Sequence, residues 1–286
     1  MKGGGVRSIK GRIRAVSGIQ QITRAMKLVA AVRIKKADTR MKSFGHIAAK
    51  MQEIVNELVS QMDEVVHPLM ACRKSCLNYG ILVITSDKGL CGSYNHNVLR
   101  ETETFINSLP SESNIRIITV GQKARKYFQK QNVAVEKALD GWKATYEEAC
   151  DLALSVIDWF TSGEIGEVRC FYTRPVSAIV QKALPETLLP LQGATEKKQP
   201  LPYIFEPEPK AALEALLPRY VEVVLMRILL ESRAAELGAR LKAMTNATEN
   251  AEKYVKDLTL AYFRARQEAI TTEIIEVASG ANYAAK

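Results

Sequence analysis

From Val6 the apolar positions run Val6, Ile9, Ile13, Val16, Ile19, Ile22, Met26 and Val29, and after a basic, alanine-rich patch they resume at Met41, Phe44, Ala48, Met51, Val55, Leu58 and Met62. Steps of three and four place such residues on one face of an α-helix. Gly11 and Gly18 weaken its start by about 1 kcal/mol each relative to alanine. A helix over 6–62 would be about 85 Å long at 1.5 Å per residue. The other end of the chain is more regular. Leu237, Leu241, Met244, Thr248, Ala251, Val255, Leu258, Tyr262, Ala265 and Ala269 alternate steps of four and three without a miss, which is the seam of a coiled coil. All ten prolines lie between Pro68 and Pro218, so neither end carries the strongest breaker of a helix interior. Pro218 is expected to start or kink the C-terminal helix and Ser279-Gly280 to stop it. Over 219–279 that helix spans about 90 Å. The two end segments match in length and are expected to pair antiparallel. A helix this long needs packing along its stripe. One partner helix covers only one side of the N-terminal segment, so other chains are expected to cover the rest.

Between the ends the pattern alternates. Ile81 to Thr85 reads as a buried strand, 94–108 as a helix, Ile115 to Val120 as a strand, 122–131 as a helix and Val133 to Val135 as a short strand. A helix over 144–161 and a strand over Val168 to Tyr172 follow. Strands alternating with helices imply a mostly parallel sheet and an α/β class. Residues 176–209 are proline-rich and read as an edge strand followed by a linker. The organisation is therefore an N-terminal coiled-coil helix over 1–67, a central α/β domain with linkers over 68–208, and a C-terminal coiled-coil helix over 209–286.

Composition is that of an ordinary globular protein, with 47% hydrophobic and 25% charged residues. No uncharged apolar run of about 18 residues is present, so no transmembrane helix is expected. No apolar core near residue 1 suggests a secretory signal. The net charge of +9 is uneven: residues 1–42 hold twelve Lys/Arg and one acid, Asp38. Such a segment suits nucleic acid, an anionic membrane surface or an acidic protein. A transit peptide is also Arg-rich and acid-poor, but the helical pattern begins inside this segment and runs through it. Five cysteines without a secretory signal read as free thiols. Cys72 and Cys76 are separated by three residues with no second pair, and the three histidines are scattered, which is not the convergent set of four that zinc needs.

Three features carry chemistry. Ser86-Asp87-Lys88-Gly89-Leu90-Cys91-Gly92-Ser93-Tyr94 follows a strand and precedes a helix, where phosphate-binding loops occur. It matches neither the P-loop nor the dinucleotide spacing, and no His or carboxylate is tied to Asp87 or Cys91 as a catalytic partner. A tight strand-to-helix turn is the plainer reading. The basic run Arg24, Lys27, Arg33, Lys35, Lys36, Arg40 and Lys42 is almost unrelieved by acids and surrounds an apolar stretch, Met26 to Val32, too broad for one seam. That favours an acidic or anionic partner over a solvated face. The near-absence of aromatics argues against base stacking on nucleic acid. Arg264, Arg266 and Gln267 are donors able to grip carboxylates or carbonyls of a partner.

Both ends and the loop also resemble one family, the gamma subunit of F-type ATP synthases. Ile22-Thr23-Arg24-Ala25-Met26-Lys27-Leu28-Val29-Ala30-Ala31 resembles its N-terminal signature, and Thr85-Ser86-Asp87-Lys88-Gly89-Leu90-Cys91-Gly92 its loop after the first strand. Arg266-Gln267, Ile270-Thr271, Glu273-Ile274, Glu276 and Gly280-Ala281 resemble its C-terminal signature. The chain departs from the usual pattern at Phe263 and Glu268, and it lacks the cysteine-bearing regulatory insertion of the chloroplast type.

The resemblance implies an antiparallel coiled coil of the two terminal helices inside a ring of alpha and beta subunits. A central Rossmann-like α/β domain would touch epsilon and the c-subunit ring. The chain would be a non-catalytic rotor without a cofactor of its own, coupling ion-driven rotation to ATP synthesis on beta and, in reverse, hydrolysis to pumping. Arg24, Met26 and Lys27 would face an acidic loop of beta, and Arg266 and Gln267 loops of beta at the upper sleeve. The implied location is peripheral, on the cytoplasmic face of a bacterial inner membrane. The rival reading is a free-standing coiled-coil protein that binds nucleotide or nucleic acid.

Overall fold

The structure is a computed structural model that describes residues 3–60, 67–71, 77–176, 181–191 and 209–284. Helix α1 covers Gly3–Ser60. After a short 3-10 turn at Pro68–Met70 come β1 (Tyr79–Ile84), α2 (Tyr94–Ser108), β2 (Ile115–Val120), α3 (Gln122–Lys130), β3 (Val135–Leu139), α4 (Tyr146–Thr161), β4 (Glu167–Pro175), β5 (Gln181–Leu189) and α5 (Pro209–Ala284). The chain divides into two compact units. One takes in residues up to Ala30 and from Leu241 onward, and the other runs from Ala31 to Arg240.

In the first unit the two helices pair antiparallel. Arg12 donates to the Tyr254 hydroxyl (2.8 Å) and Thr248 to the Thr23 hydroxyl (2.9 Å), so one helix descends as the other ascends. The predicted α5 seam holds: Leu241, Met244, Thr248, Ala251, Val255, Leu258, Tyr262, Ala265 and Ala269 are all buried or half-buried. The predicted α1 stripe needs correction. Ile19, Ile22 and Val29 are 55%, 62% and 50% exposed, while Gln20 is half-buried and Thr23 and Ala30 are buried. The steps from Ile13 through Val16 and Ile19 to Ile22 are all of three residues. Each such step turns about 60° short of a full turn, so the apolar stripe winds off the seam. The contact instead keeps alternating steps through Ile13, Val16, Gln20, Thr23, Lys27 and Ala30.

The second unit is a three-layer α/β fold. Its sheet has the order β3-β2-β1-β4-β5, with the first four strands parallel and β5 antiparallel on the edge beside β4. β1 is covered on both faces, which explains its unbroken apolar run. Ile81 and Val83 meet α2 and α3 through Val98, Leu99, Ala124 and Phe128. Leu82 and Ile84 share the larger core with α4, α5 and the end of α1, including Val55, Leu152, Val156, Leu225 and Leu229. α4 starts with a full capping box, Thr145 and Glu148.

Two further expectations are corrected. The third strand lies at Val135–Leu139, not Val133–Val135, because Asn132 turns with φ 56° and Val133 still closes the end of α3 through Phe128 O (3.1 Å). Its polar members are paired: Glu136 accepts from the Trp159 indole (3.0 Å), and Lys137 meets Asp151 (2.7 Å). Pro218 does not start α5, which begins at Pro209, the bound expected for the C-terminal segment, and Ser279-Gly280 does not stop it, since it runs on to Ala284. A proline inside a helix costs about 3 kcal/mol or more. Burial of Leu213, Leu217, Tyr220 and Val221 on either side of Pro218 offsets that cost.

Candidate functional site

In the first unit, Arg24 is exposed, Met26 and Lys27 are half-buried, and Arg264, Arg266 and Gln267 are exposed. None of these bases has a carboxylate partner among the described residues. The structure brings Arg266 and Gln267 onto one exposed face with Phe263, Ile270 and Ile274, spaced three and four apart. Arg264 lies two positions from Arg266 and faces elsewhere. Large apolar side chains left in water beside unpaired cations are the signature of a surface awaiting a partner. Each one fully buried by that partner is worth about 1.5–3 kcal/mol.

In the second unit, Arg33 and Lys36 are exposed on α1 and share a face with Arg40, while Lys35 turns away to line a different hollow beside the Asp38–Lys42 ion pair (2.7 Å). Arg33, Lys36 and Arg40 line a pocket of about 210 Å³ together with Lys143 from the loop before α4 and Arg233 from α5. The floor is Ala37, Ala144, Leu230 and Leu237. Five bases line it and no acid does. Lys143 and Arg233 escaped the sequence reading because each comes from a distant segment and neither sits in a basic run. Both are held in place. Arg233 is bound by Glu236 (2.6 Å) and lies over the Trp142 ring (5.5 Å). The Lys143 amide donates to both oxygens of Glu148 (3.0 and 3.1 Å), and Ala144 beside it takes the left-handed φ of 57°. A non-glycine residue in that region costs about 1–3 kcal/mol and persists only where its surroundings enforce it.

The loop after β1 is filled by its own residues. Asp87 accepts from the amides of Gln122 (3.2 Å) and Gly141 (2.9 Å). Gln122 opens α3, so the position where a helix N-terminus could receive a phosphate is already taken by a carboxylate. Ser86 exchanges hydrogen bonds with Asn95, and Cys91 is buried beneath them. The loop is fastened to α5. Arg240 donates to the carbonyls of Lys88 and Gly89 (both 3.3 Å), and the hydroxyls of Tyr94 and Ser232 lie 2.7 Å apart. Burial, reinforced by nearby Glu236, pushes the Tyr94 phenol well up, so it stays a neutral partner for Ser232. Glu236, only 2% exposed, binds Arg233 (2.6 Å) and Arg240 (2.7 Å) together. Asp87 and Cys91 thus serve a structural staple. Cys91, Cys150 and Cys170 are free thiols, whereas Cys72 and Cys76 lie outside the described residues.

A family model described as ATP synthase matches residues 5–283. The ATP synthase gamma chain of Moorella thermoacetica is 40% identical over 279 residues, covering 97% of this chain and 98% of that one. That of Heliobacterium modesticaldum is 38% identical over 288 residues, with coverage of 97% and 98%. The chain belongs to the ATP synthase gamma-chain family. Among solved structures, a chain of the Euglena gracilis mitochondrial ATP synthase (OSCP/F1/c-ring, rotational state 3) aligns with TM-score 0.71 at 19% identity, covering 98% of this chain and 94% of that one. A second, from the rotor of that synthase, aligns with TM-score 0.67 at 18% identity, covering 94% and 99%. At that identity the likeness speaks for the fold, long terminal helices around an α/β domain. As a gamma chain the protein is a non-catalytic subunit of the ATP synthase.

Proposed function

We propose that this gamma chain is the central-stalk rotor of an F-type ATP synthase, coupling ion-driven rotation to ATP synthesis on beta subunits and hydrolysis to reverse pumping. The observation that carries the reading is the pair of unpartnered, apolar and basic faces on the terminal helices. Ile22, Leu28 and Val29 stand in water beside Arg24 and Lys27, and Phe263, Ile270 and Ile274 beside Arg266 and Gln267. A hexamer of alpha and beta subunits closing around such helices would bury these residues and supply carboxylates or carbonyls to the bases. In this reading Arg24, Met26 and Lys27 meet an acidic loop of beta, and the pocket of Arg33, Lys36, Arg40, Lys143 and Arg233 takes further acidic side chains. Lys35 adds charge to the neighbouring surface, while Arg264, Arg266 and Gln267 meet beta loops at the upper sleeve. The helices up to Ala30 and from Leu241 onward would work within the hexamer, and the unit from Ala31 to Arg240, which includes the α/β domain, would meet epsilon and the c-ring. In this reading the chain is a peripheral subunit on the cytoplasmic face of a bacterial inner membrane; no helix among the described residues is long and apolar enough to cross a membrane.

Arg266→Ala is expected to lower the rate of ATP synthesis by the assembled complex by about tenfold, the loss of one charge-assisted contact, while the yield of complex changes little. Met26→Lys adds a cation at a half-buried position and is expected to lower the number of ions pumped per ATP. Normal synthesis with Arg266→Ala, or unchanged pumping per ATP with Met26→Lys, would remove these residues from the docking face.

A further inference from the structure

A closed ring of charges ties the edge of the sheet to α5. Arg227 of α5 reaches Glu186 of β5 and Glu231 of its own helix (3.0 Å). Arg174 of β4 reaches the same two carboxylates, Glu186 at 2.7 Å and Glu231 at 3.0 Å. Each glutamate therefore bridges both guanidinium groups, one oxygen to each. The Tyr172 hydroxyl sits among them, 2.6 Å from Glu186 and 3.0 Å from Glu231, on a side chain with no exposure. Burial and the two carboxylates push its phenol well up, so it remains a donor. Two positive and two negative charges cancel within the ring.

Next to the ring the contact is apolar, and it turns polar again where Tyr94 meets Ser232 and Arg240 meets the Lys88 and Gly89 carbonyls. Leu225, Ile228 and Leu229 bury the inner side of α5 against the sheet, and such contact has little directional preference. It holds the helix down but resists a small turn about the helix axis less sharply than fixed polar partners do. A ring that demands four fixed partners supplies that sharper resistance. The four charged side chains are half-buried, 15–40% exposed. Ion networks out of full contact with water add little net stability against apolar replacements, and their best-attested role is to specify one register. We propose that the ring of Arg174, Glu186, Arg227 and Glu231 around Tyr172 is a registry pin that locks the sheet domain to α5 against turning under load. Rotation imposed on one would then reach the other without slip. The proposal rests on the rotor reading.

The test replaces the whole ring without leaving a lone charge: Tyr172→Phe, Arg174→Met, Glu186→Leu, Arg227→Met and Glu231→Leu together. The complete complex carrying this chain is reconstituted into sealed vesicles, and ions pumped per ATP hydrolysed are measured. Thermal unfolding of the full chain is followed alongside. The pin predicts a melting temperature within about 5 °C of the parent or above it, normal assembly, and about threefold fewer ions per ATP. Arg227→Lys, which keeps the charge, should retain most of the coupling that Arg227→Met loses. Parental pumping per ATP in the ring-less variant overturns the pin. So does a large fall in melting temperature or failure to assemble, which would make the ring an ordinary stabiliser of the fold. Hydrolysis that never depends on this chain would overturn the rotor reading instead, and is read from the parent complex alone.

Discussion

Gly121→Ala is expected to destabilise the chain by about 4 kcal/mol or more, enough to leave the α/β unit largely unfolded. Gly121 holds φ 93°, and a Cβ built there would lie 2.3 Å from the carbonyl oxygen of Thr85 and 2.8 Å from its carbon. Neither side can yield. The Gly121 amide is bound to Leu139 O (2.8 Å), the Thr85 amide to Val120 O (2.8 Å) and the Lys123 amide to Ser86 O (3.2 Å). A shift to relieve the clash would therefore break contacts among β1, β2 and β3 and disturb the Asp87 staple. Gly141→Ala is the matched control. It also has positive φ, 68°, but nothing lies within 4 Å of the added atom, so backbone strain of about 1–2 kcal/mol is the whole cost. Urea unfolding of the full chain compares the two, and a loss below about 1 kcal/mol for Gly121→Ala would contradict the described approach of β1 to the start of α3.

Reversing the basic pocket is expected to have the largest functional effect. In Arg33→Glu/Lys36→Glu/Lys143→Glu the three changed side chains have no ion-pair partner among the described residues and are exposed, so the isolated chain should fold as before. Crowded like charges repel, and relieving them offsets the new carboxylate set near Glu148. In the complex the same change would set carboxylates against the acidic partner proposed for this pocket. Truncating one member of a buried charge pair costs about 2–5 kcal/mol, so turnover that depends on this chain should fall by more than about tenfold. The corresponding glutamine variant should lose less and respond less steeply to salt than the parent. Parental turnover and salt dependence in the reversed variant would show that the pocket faces solvent in the complex.

The parts that sequence periodicity revealed and concealed differ for physical reasons. The α5 seam was legible because its residues alternate strictly and each is apolar or small. The α1 seam was not, because the chain places Gln20, Thr23 and Ala30 against its partner helix and keeps Ile19, Ile22 and Val29 outside. In this chain exposed large apolar residues mark the outer surface of α1, and a reading that assigns every apolar residue to the intramolecular seam absorbs them wrongly. The strands of the sheet centre are legible as apolar runs, whereas in β3 the adjacent Glu136 and Lys137 break the apolar pattern and are paired through their side chains, so the pattern points to Val133–Val135 instead. The basic run of α1 is legible in the sequence, yet Lys143 and Arg233 come into view only when the fold carries them to the same pocket. The loop after β1 reads as a plain turn with a ligand site as the lesser alternative, because a strand-to-helix turn with glycines is built alike whether it holds a phosphate or, as here, the carboxylate of Asp87.

The central claim is that this chain acts as the rotor within a hexamer of alpha and beta subunits. Co-expression with those subunits, followed by measurement of subunit ratio and ATP hydrolysis with and without this chain, tests it most directly. The account predicts a stable assembly with one copy per three alpha/beta pairs, whose sustained turnover requires the chain. A chain that stays apart from the hexamer, or a hexamer whose turnover is indifferent to it, would contradict the account.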